Sequence, residues 1–210
     1  MSTRFTRTDL MASTLLGFLI GVLAPFILSN IGKHYAFQNY LFIVFAVLAP
    51  LGLYAFALAS RWMPALYQLG KFGIVGSANF FIDLGILHFI IYLSGSQTAR
   101  VLFSVAFASI TTWTLFKAVS FVAASTSSFF WNKFWTFQEK KIEEAKKEYV
   151  SFLTISVVGL LINSAIFSLV FSFKPESMRE TLWATIAAVA GAFGGLFWNF
   201  LGYKFIVFKK

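Results

Sequence analysis

Six stretches of the chain are apolar over the length of a bilayer crossing, which takes about 20 residues. Residues 10–32 carry no charge between Asp9 and Lys33, and residues 35–60 none between His34 and Arg61. The segment Phe72–Gly95 is apolar apart from Asp83 and His88. Residues 149–173 lie charge-free between Glu148 and Lys174, and residues 181–203 between Glu180 and Lys204. The remaining stretch, 101–132, is too long for one crossing and holds Lys117. It reads as a short apolar segment at 99–110, followed by a crossing over 111–132. The pattern predicts an all-α polytopic bundle of six transmembrane helices. Pro25 and Pro50 fall inside the first two, where membrane helices tolerate them.

Composition narrows the class. Of the 210 residues, 59% are hydrophobic and 12% charged, about half the roughly 25% of a soluble domain. So small a soluble protein has too much surface to keep wet with so few charges. The first apolar run is longer than a signal-peptide core and no A-x-A site follows it, so it is read as a helix. There are no cysteines, two histidines and eight acids. That leaves little material for a metal cluster or a catalytic triad, so neither enzymatic activity nor a cofactor is expected. The net charge of +9 points to anionic lipid and topology signals rather than nucleic acid.

Six crossings put most Lys and Arg on the side of the N-terminus, among them Arg4, Arg7, Arg61, Lys71, Lys133, the 140–147 lysines, Lys204, Lys209 and Lys210. Lys33, Arg100, Lys174 and Arg179 fall on the other. The positive-inside rule then makes both termini cytoplasmic, in an inner (plasma) membrane. The 99–110 segment lies at the outer face as an interfacial or re-entrant piece.

The second half repeats the first. Phe72 to Phe89 aligns with Phe152 to Leu169, which sets Asp83 on Asn163, Ile82 on Ile162 and Ile86 on Ile166. Phe130-Trp131-Asn132 recurs as Phe197-Trp198-Asn199. Asn132-Lys133-Phe134-Trp135-Thr136-Phe137 recurs as Tyr203-Lys204-Phe205-Ile206-Val207-Phe208. Each unit is a helical hairpin that starts and ends on the same side, so the repeats are parallel.

The residues Lys71-Phe72-Gly73-Ile74-Val75-Gly76, with Asn79 and Ile82-Asp83-Leu84-Gly85, resemble the first helix of the GtrA-like membrane proteins. Asn132-Lys133-Phe134-Trp135-Thr136-Phe137 resembles that family's second-helix ending, and Asn199 with Lys204-Phe205-Ile206-Val207-Phe208 its fourth. The resemblance divides the chain into two additional helices, 1–68, and a four-helix domain, 69–210, with repeat units 71–137 and 151–208. The added helices are expected at its periphery. The resemblance also implies translocation of a polyprenyl-phosphate-linked monosaccharide for cell-surface polysaccharide or glycan synthesis, in a homo-oligomer. The four-helix unit is similar to the membrane domain of some dolichyl-phosphate mannose synthases. A non-transporting subunit that anchors a glycosyltransferase and a small proton-coupled exporter are the alternatives.

Candidate residues follow from the cost of polar groups in hydrocarbon. A carboxylate deep in a membrane helix costs about 2.5–3.5 kcal/mol on insertion scales, which marks Asp83. Asn79 lies four residues earlier, on the same helix face. His88 is displaced by about 140° and shares no face with Asp83. Asn163 takes the Asp83 position in the second repeat. Asn132 with Lys133, and Asn199 with Lys204, close the second helix of each hairpin and form a candidate paired site for a lipid phosphate. Lys71 is expected to join them. Lys117 sits near the outer end of its helix. Ser125, Thr126, Ser127 and Ser128, and Gly191, Gly194 and Gly195, read as packing surfaces. The 140–148 run reads as a solvated helix and a candidate surface for docking a glycosyltransferase.

The orientation is directly testable, because any cysteine introduced is the only one. A cysteine placed by Glu144→Cys is expected to resist an impermeant maleimide in intact cells and to react after permeabilisation. Reaction in intact cells reverses the topology.

Overall fold

Thr6 and Asp9 open the first helix reciprocally. The Asp9 amide donates to Thr6 Oγ1 at 3.2 Å, and the Thr6 amide donates to Asp9 Oδ2 at 3.1 Å. Such a capping box satisfies amides that no preceding turn can serve. In the computed structural model, which describes residues 5–30, 32–95, 100–105, 108–178 and 180–208, the helices are α1 (Arg7–Asn30), α2 (Leu41–Ala59), α3 (Ala65–Ser94), α4 (Thr112–Trp131), α5 (Ala145–Ser172) and α6 (Glu180–Gly202). Among the described residues, α1, the segment Gln38–Ala59, α3 and α5 are long and apolar enough to cross a membrane. Lys117 and a run of hydroxyl residues dilute α4. The expected all-α polytopic fold is present. Arg4, Arg179, Lys209 and Lys210, which entered the orientation argument, lie outside the described residues.

Three local features depart from the sequence pattern. The 99–110 segment, expected as an interfacial or re-entrant piece, contributes to an antiparallel β-hairpin of β1 (Val101–Val105) and β2 (Ala108–Thr111). Its β-branched and hydroxyl residues suit strands better than a short buried turn of helix. Thr111 then caps α4 in a second capping box, with Thr114. Helix α3 begins at Ala65, just past Pro64, rather than at Phe72, and ends at Gly95, whose φ of +62° suits a residue without a side chain. The 140–148 run is only partly helical, because α5 starts at Ala145.

Contacts divide the chain into two compact units, Met1–Thr136 and Phe137–Lys210. In the first, α1 is central rather than peripheral. Its Ala12, Leu16 and Ile20 are buried against Leu53 and Ala57 of α2, Tyr67, Val75 and Ala78 of α3, and Trp135. Gly17 and Gly21, one turn apart, let α1 meet the backbone of α2: a Cβ on either would collide with the carbonyl oxygen of Phe45 or Leu41. Small residues at this spacing are how membrane helices gain contact without a hydrophobic driving force between them. The second unit repeats the device, with Gly195 close to the Gly159 carbonyl oxygen and Gly191 close to that of Asn163.

Both hairpins finish in a π-helical turn, Asn132–Thr136 after α4 and Tyr203–Val207 after α6. The two turns coincide residue for residue in the alignment that sets Lys133 on Lys204. The alternative alignment of Asn132 with Asn199 is therefore not the structural one. Asn199 lies within α6, a full turn before its π-turn, at the position Ser128 holds in α4.

Gly21→Leu places a side chain where α2 has backbone. It is expected to lower stability by more than the roughly 1–3 kcal/mol of ordinary overpacking, read as a drop in thermal midpoint of the purified protein in detergent. Gly52→Leu, at a position with open space around it, is expected to leave the midpoint within a degree or two of wild type, as surface changes usually do.

Candidate functional site

Asp9 gathers a densely satisfied polar cluster in the first unit. Its carboxylate accepts from Thr6 Oγ1 at 2.6 Å, Tyr67 Oη at 2.7 Å and Trp135 Nε1 at 3.0 Å, in addition to the Thr6 amide, and it pairs with the Lys71 ammonium. Asp9 and Lys71 are both buried. The Lys71 ammonium also lies 4.7 Å from the Tyr67 ring centre and 5.4 Å from that of Trp135, a cation–π placement. Lys71 was expected to serve a lipid phosphate with the other lysines. It is instead neutralised by a carboxylate from α1 and shielded by two aromatic rings. The sequence reading missed Asp9, treating it as the border of an apolar run.

A second charged cluster lies further along α3. Asp83 pairs with Lys117 of α4 and accepts from Ser120 Oγ at 2.6 Å. Ser120 is itself buried and also donates to the Lys117 carbonyl at 3.0 Å. Because α3 starts early, Asp83 lies beyond the middle of that helix. Lys117 is thus paired with α3, with nearly half of its side chain exposed.

The asparagines present a different chemistry. Asn132 is buried in the π-turn, and its Nδ2 donates to the Ser128 carbonyl at 2.9 Å and to Ser128 Oγ at 3.2 Å. Its Oδ1 has no hydrogen-bond partner, and neither does the buried Oδ1 of Asn79. Lys133, next in the π-turn, is fully buried. An open groove of about 510 Å³ runs beside this turn, lined by Thr8, Ala12, Ser127, Phe130, Trp131, Phe134 and Trp135. Trp135 forms part of its wall while its indole nitrogen is held by Asp9.

In the second unit, Asn163 lies against Gly191 and Gly195 of α6. Asn199 lies against Gly159 of α5, with its Oδ1 buried and unpartnered. Lys204, half-buried, stands 5.6 Å from the Phe200 ring centre and 5.5 Å from that of Phe205. Tyr203, in the place of Asn132, stacks on Phe152 at 4.3 Å and shares a 2.6 Å hydrogen bond with Ser156. The expected residues are divided between the two units. Asn79, Asp83, Asn132 and Lys133 belong to the first unit, and Asn163, Asn199 and Lys204 to the second.

Residues 71–208 match the family model for the GtrA/DPMS transmembrane domain. The chain belongs to the GtrA/DPMS family. No curated protein and no solved structure matched it. The GtrA/DPMS match begins at Lys71 and takes in both hairpins, leaving α1 and α2 outside. Membership makes the chain a multi-pass membrane protein of glycan synthesis. The Asp9–Lys71 pair therefore joins an added helix to the first residue of the GtrA/DPMS domain.

Asp9→Leu leaves Lys71 as a buried cation without its counter-ion. Breaking one side of such a pair typically costs about 3–5 kcal/mol. The variant is expected to unfold at markedly lower temperature in detergent, and Asp9→Leu with Lys71→Met to recover much of the loss. Equal midpoints for wild type and Asp9→Leu would show that the pair does not hold α1 in place.

Proposed function

We propose that the GtrA/DPMS domain carries a polyprenyl-phosphate-linked monosaccharide from the cytoplasmic to the outer leaflet, as a non-catalytic step of cell-surface glycan synthesis. The observation that carries this reading is the set of buried carboxamide oxygens without a partner, at Asn79 and Asn132 in one hairpin and Asn199 in the other. A buried acceptor left unsatisfied costs about 1–3 kcal/mol, and each such group in a folded protein asks for an explanation. Sugar hydroxyls are donors of the required kind. In this reading they hydrogen-bond to the asparagines of the hairpin that holds the sugar, while the isoprenoid stays in lipid.

The remaining features fit the same substrate. A monosaccharide attached through a phosphodiester carries about one negative charge, so a single cation suffices to accompany it. Asn163 adds an uncharged polar group within α5. The aromatic groove beside the first π-turn offers flat faces to a sugar or an isoprene unit. The sequence contains no GxxxxGK[ST] phosphate loop. Movement is then driven by a gradient, or simply drawn forward as a glycosyltransferase consumes the sugar on the far side. Both termini are cytoplasmic in this scheme, and the protein works as a homo-oligomer.

Asn79→Leu separates function from stability. It removes an unpaired acceptor, so the protein is expected to fold at least as stably as wild type. Translocation of a short-chain isoprenyl-phosphate glucose in reconstituted vesicles is expected to fall at least tenfold, the effect of losing one well-placed hydrogen bond to a bound ligand of about 1.4 kcal/mol. A wild-type rate from the well-folded variant removes Asn79 from the path. Lipid binding without translocation by the wild-type protein favours the anchoring role instead.

A further inference from the structure

Lys117 is the accessible lysine of the first GtrA/DPMS hairpin. Its side chain is 47% exposed and that of its partner Asp83 18%, whereas Lys71 and Lys133 are buried. Asp83 keeps a second hydrogen bond from buried Ser120, so the carboxylate is anchored while the ammonium reaches outward. The second hairpin makes the same helix crossing without charge. Asn163 stands in for Asp83, Gly191 for Ser120 and, by the same alignment, Ala188 for Lys117, and Asn163 packs directly on Gly191. Holding such a hairpin together does not require an ion pair.

We infer that the Asp83–Lys117 pair is an exchangeable lock that selects a glycosylated phosphodiester over one without a sugar. The inference rests on the lipid-linked-sugar reading above and assigns Lys117 as the ligand of the phosphate. When the phosphate oxygens take the Lys117 ammonium, Asp83 loses its cation and retains only Ser120. An anion in a low-dielectric bundle then needs further donors. Sugar hydroxyls on the same ligand supply them, with Asn79 one turn away on α3 to accept in return. A phosphodiester without hydroxyls satisfies Lys117 but strands Asp83, so exchange is unfavourable. Selectivity arises because one ligand must replace both halves of the pair.

The test uses the full chain in detergent and two probes of equal charge: a short isoprenyl phosphate esterified to glucose, and the same isoprenyl phosphate esterified to methanol. Binding is read by native mass spectrometry, with inorganic phosphate as competitor. Wild type is expected to prefer the glucosyl probe at least tenfold, the worth of one or two charge-assisted hydrogen bonds. Asp83→Asn is expected to bind the methyl probe more tightly and the glucosyl probe less tightly, bringing the ratio close to one. Asn163 shows that an amide is compatible with this helix crossing. Lys117→Gln is expected to weaken both probes and provides an independent reading should Asp83→Asn fold poorly. An unchanged ratio in folded Asp83→Asn, or unweakened binding by Lys117→Gln, overturns the lock even where wild type translocates the lipid-linked sugar. Wild type that binds neither probe overturns the lock together with the functional reading beneath it. Displacement of the probes by inorganic phosphate assigns Lys117 to a free anion and overturns the lipid assignment.

Discussion

The Asp9 carboxylate is the constraint on which the first unit turns. It accepts from a backbone amide, a threonine hydroxyl, a tyrosine and a tryptophan, and it faces a lysine, so its lone pairs are fully engaged. Those donors lie at the start of α1, at the start of α3 and in the π-turn after α4. In an apolar bundle each of them would be costly unpaired. Moving any one of the three segments breaks bonds in the other two. The position of Trp135, and with it the wall of the aromatic groove, is thereby tied to a residue near the beginning of the chain.

The two hairpins share a frame and fill it with different chemistry. Where the first has Asp83 bonded to Ser120, the second has Asn163 against Gly191. Where the first places an asparagine on α3 at Asn79, the second has Gly159, and the amide appears opposite, at Asn199 on α6. Where the first sets Asn132 in its π-turn, the second sets Tyr203, stacked on Phe152. Polar capacity is kept in each hairpin but moved between helices, and charge within the α3/α4 crossing is confined to the first. Packing alone explains the glycines. It does not explain the three buried carboxamide oxygens that lack a partner among the described residues.

Much of the fold is legible in the sequence, because a long apolar run between charges has few alternatives to a helix. The failures have physical causes. Residues 101–111 are apolar enough to pass for a membrane segment, yet short and rich in strand-forming residues, and pattern alone does not separate those states. The early start of α3 is concealed by Gln68 and Lys71, polar residues that tertiary partners bury. Asp9 was invisible as a site because its meaning resides in Tyr67, Lys71 and Trp135, far away along the chain. The same applies to Lys117, whose commitment to Asp83 depends on how α3 and α4 meet. Asp83 stands out in the sequence as an acid within an apolar run. Its partners do not.

The paired π-turns also record a history. A π-turn widens a helix by one residue per turn and is rare and costly enough that it seldom arises twice at one place by accident. Here it occupies the same five positions at the end of both hairpins, although the residues within it have diverged from Asn132-Lys133-Phe134-Trp135-Thr136 to Tyr203-Lys204-Phe205-Ile206-Val207. A single ancestral hairpin that already carried the extra residue, later duplicated, accounts for both. The bond from Trp135 to Asp9 is thus made from a widened helix end, and the extra residue of the turn helps set where that indole stands.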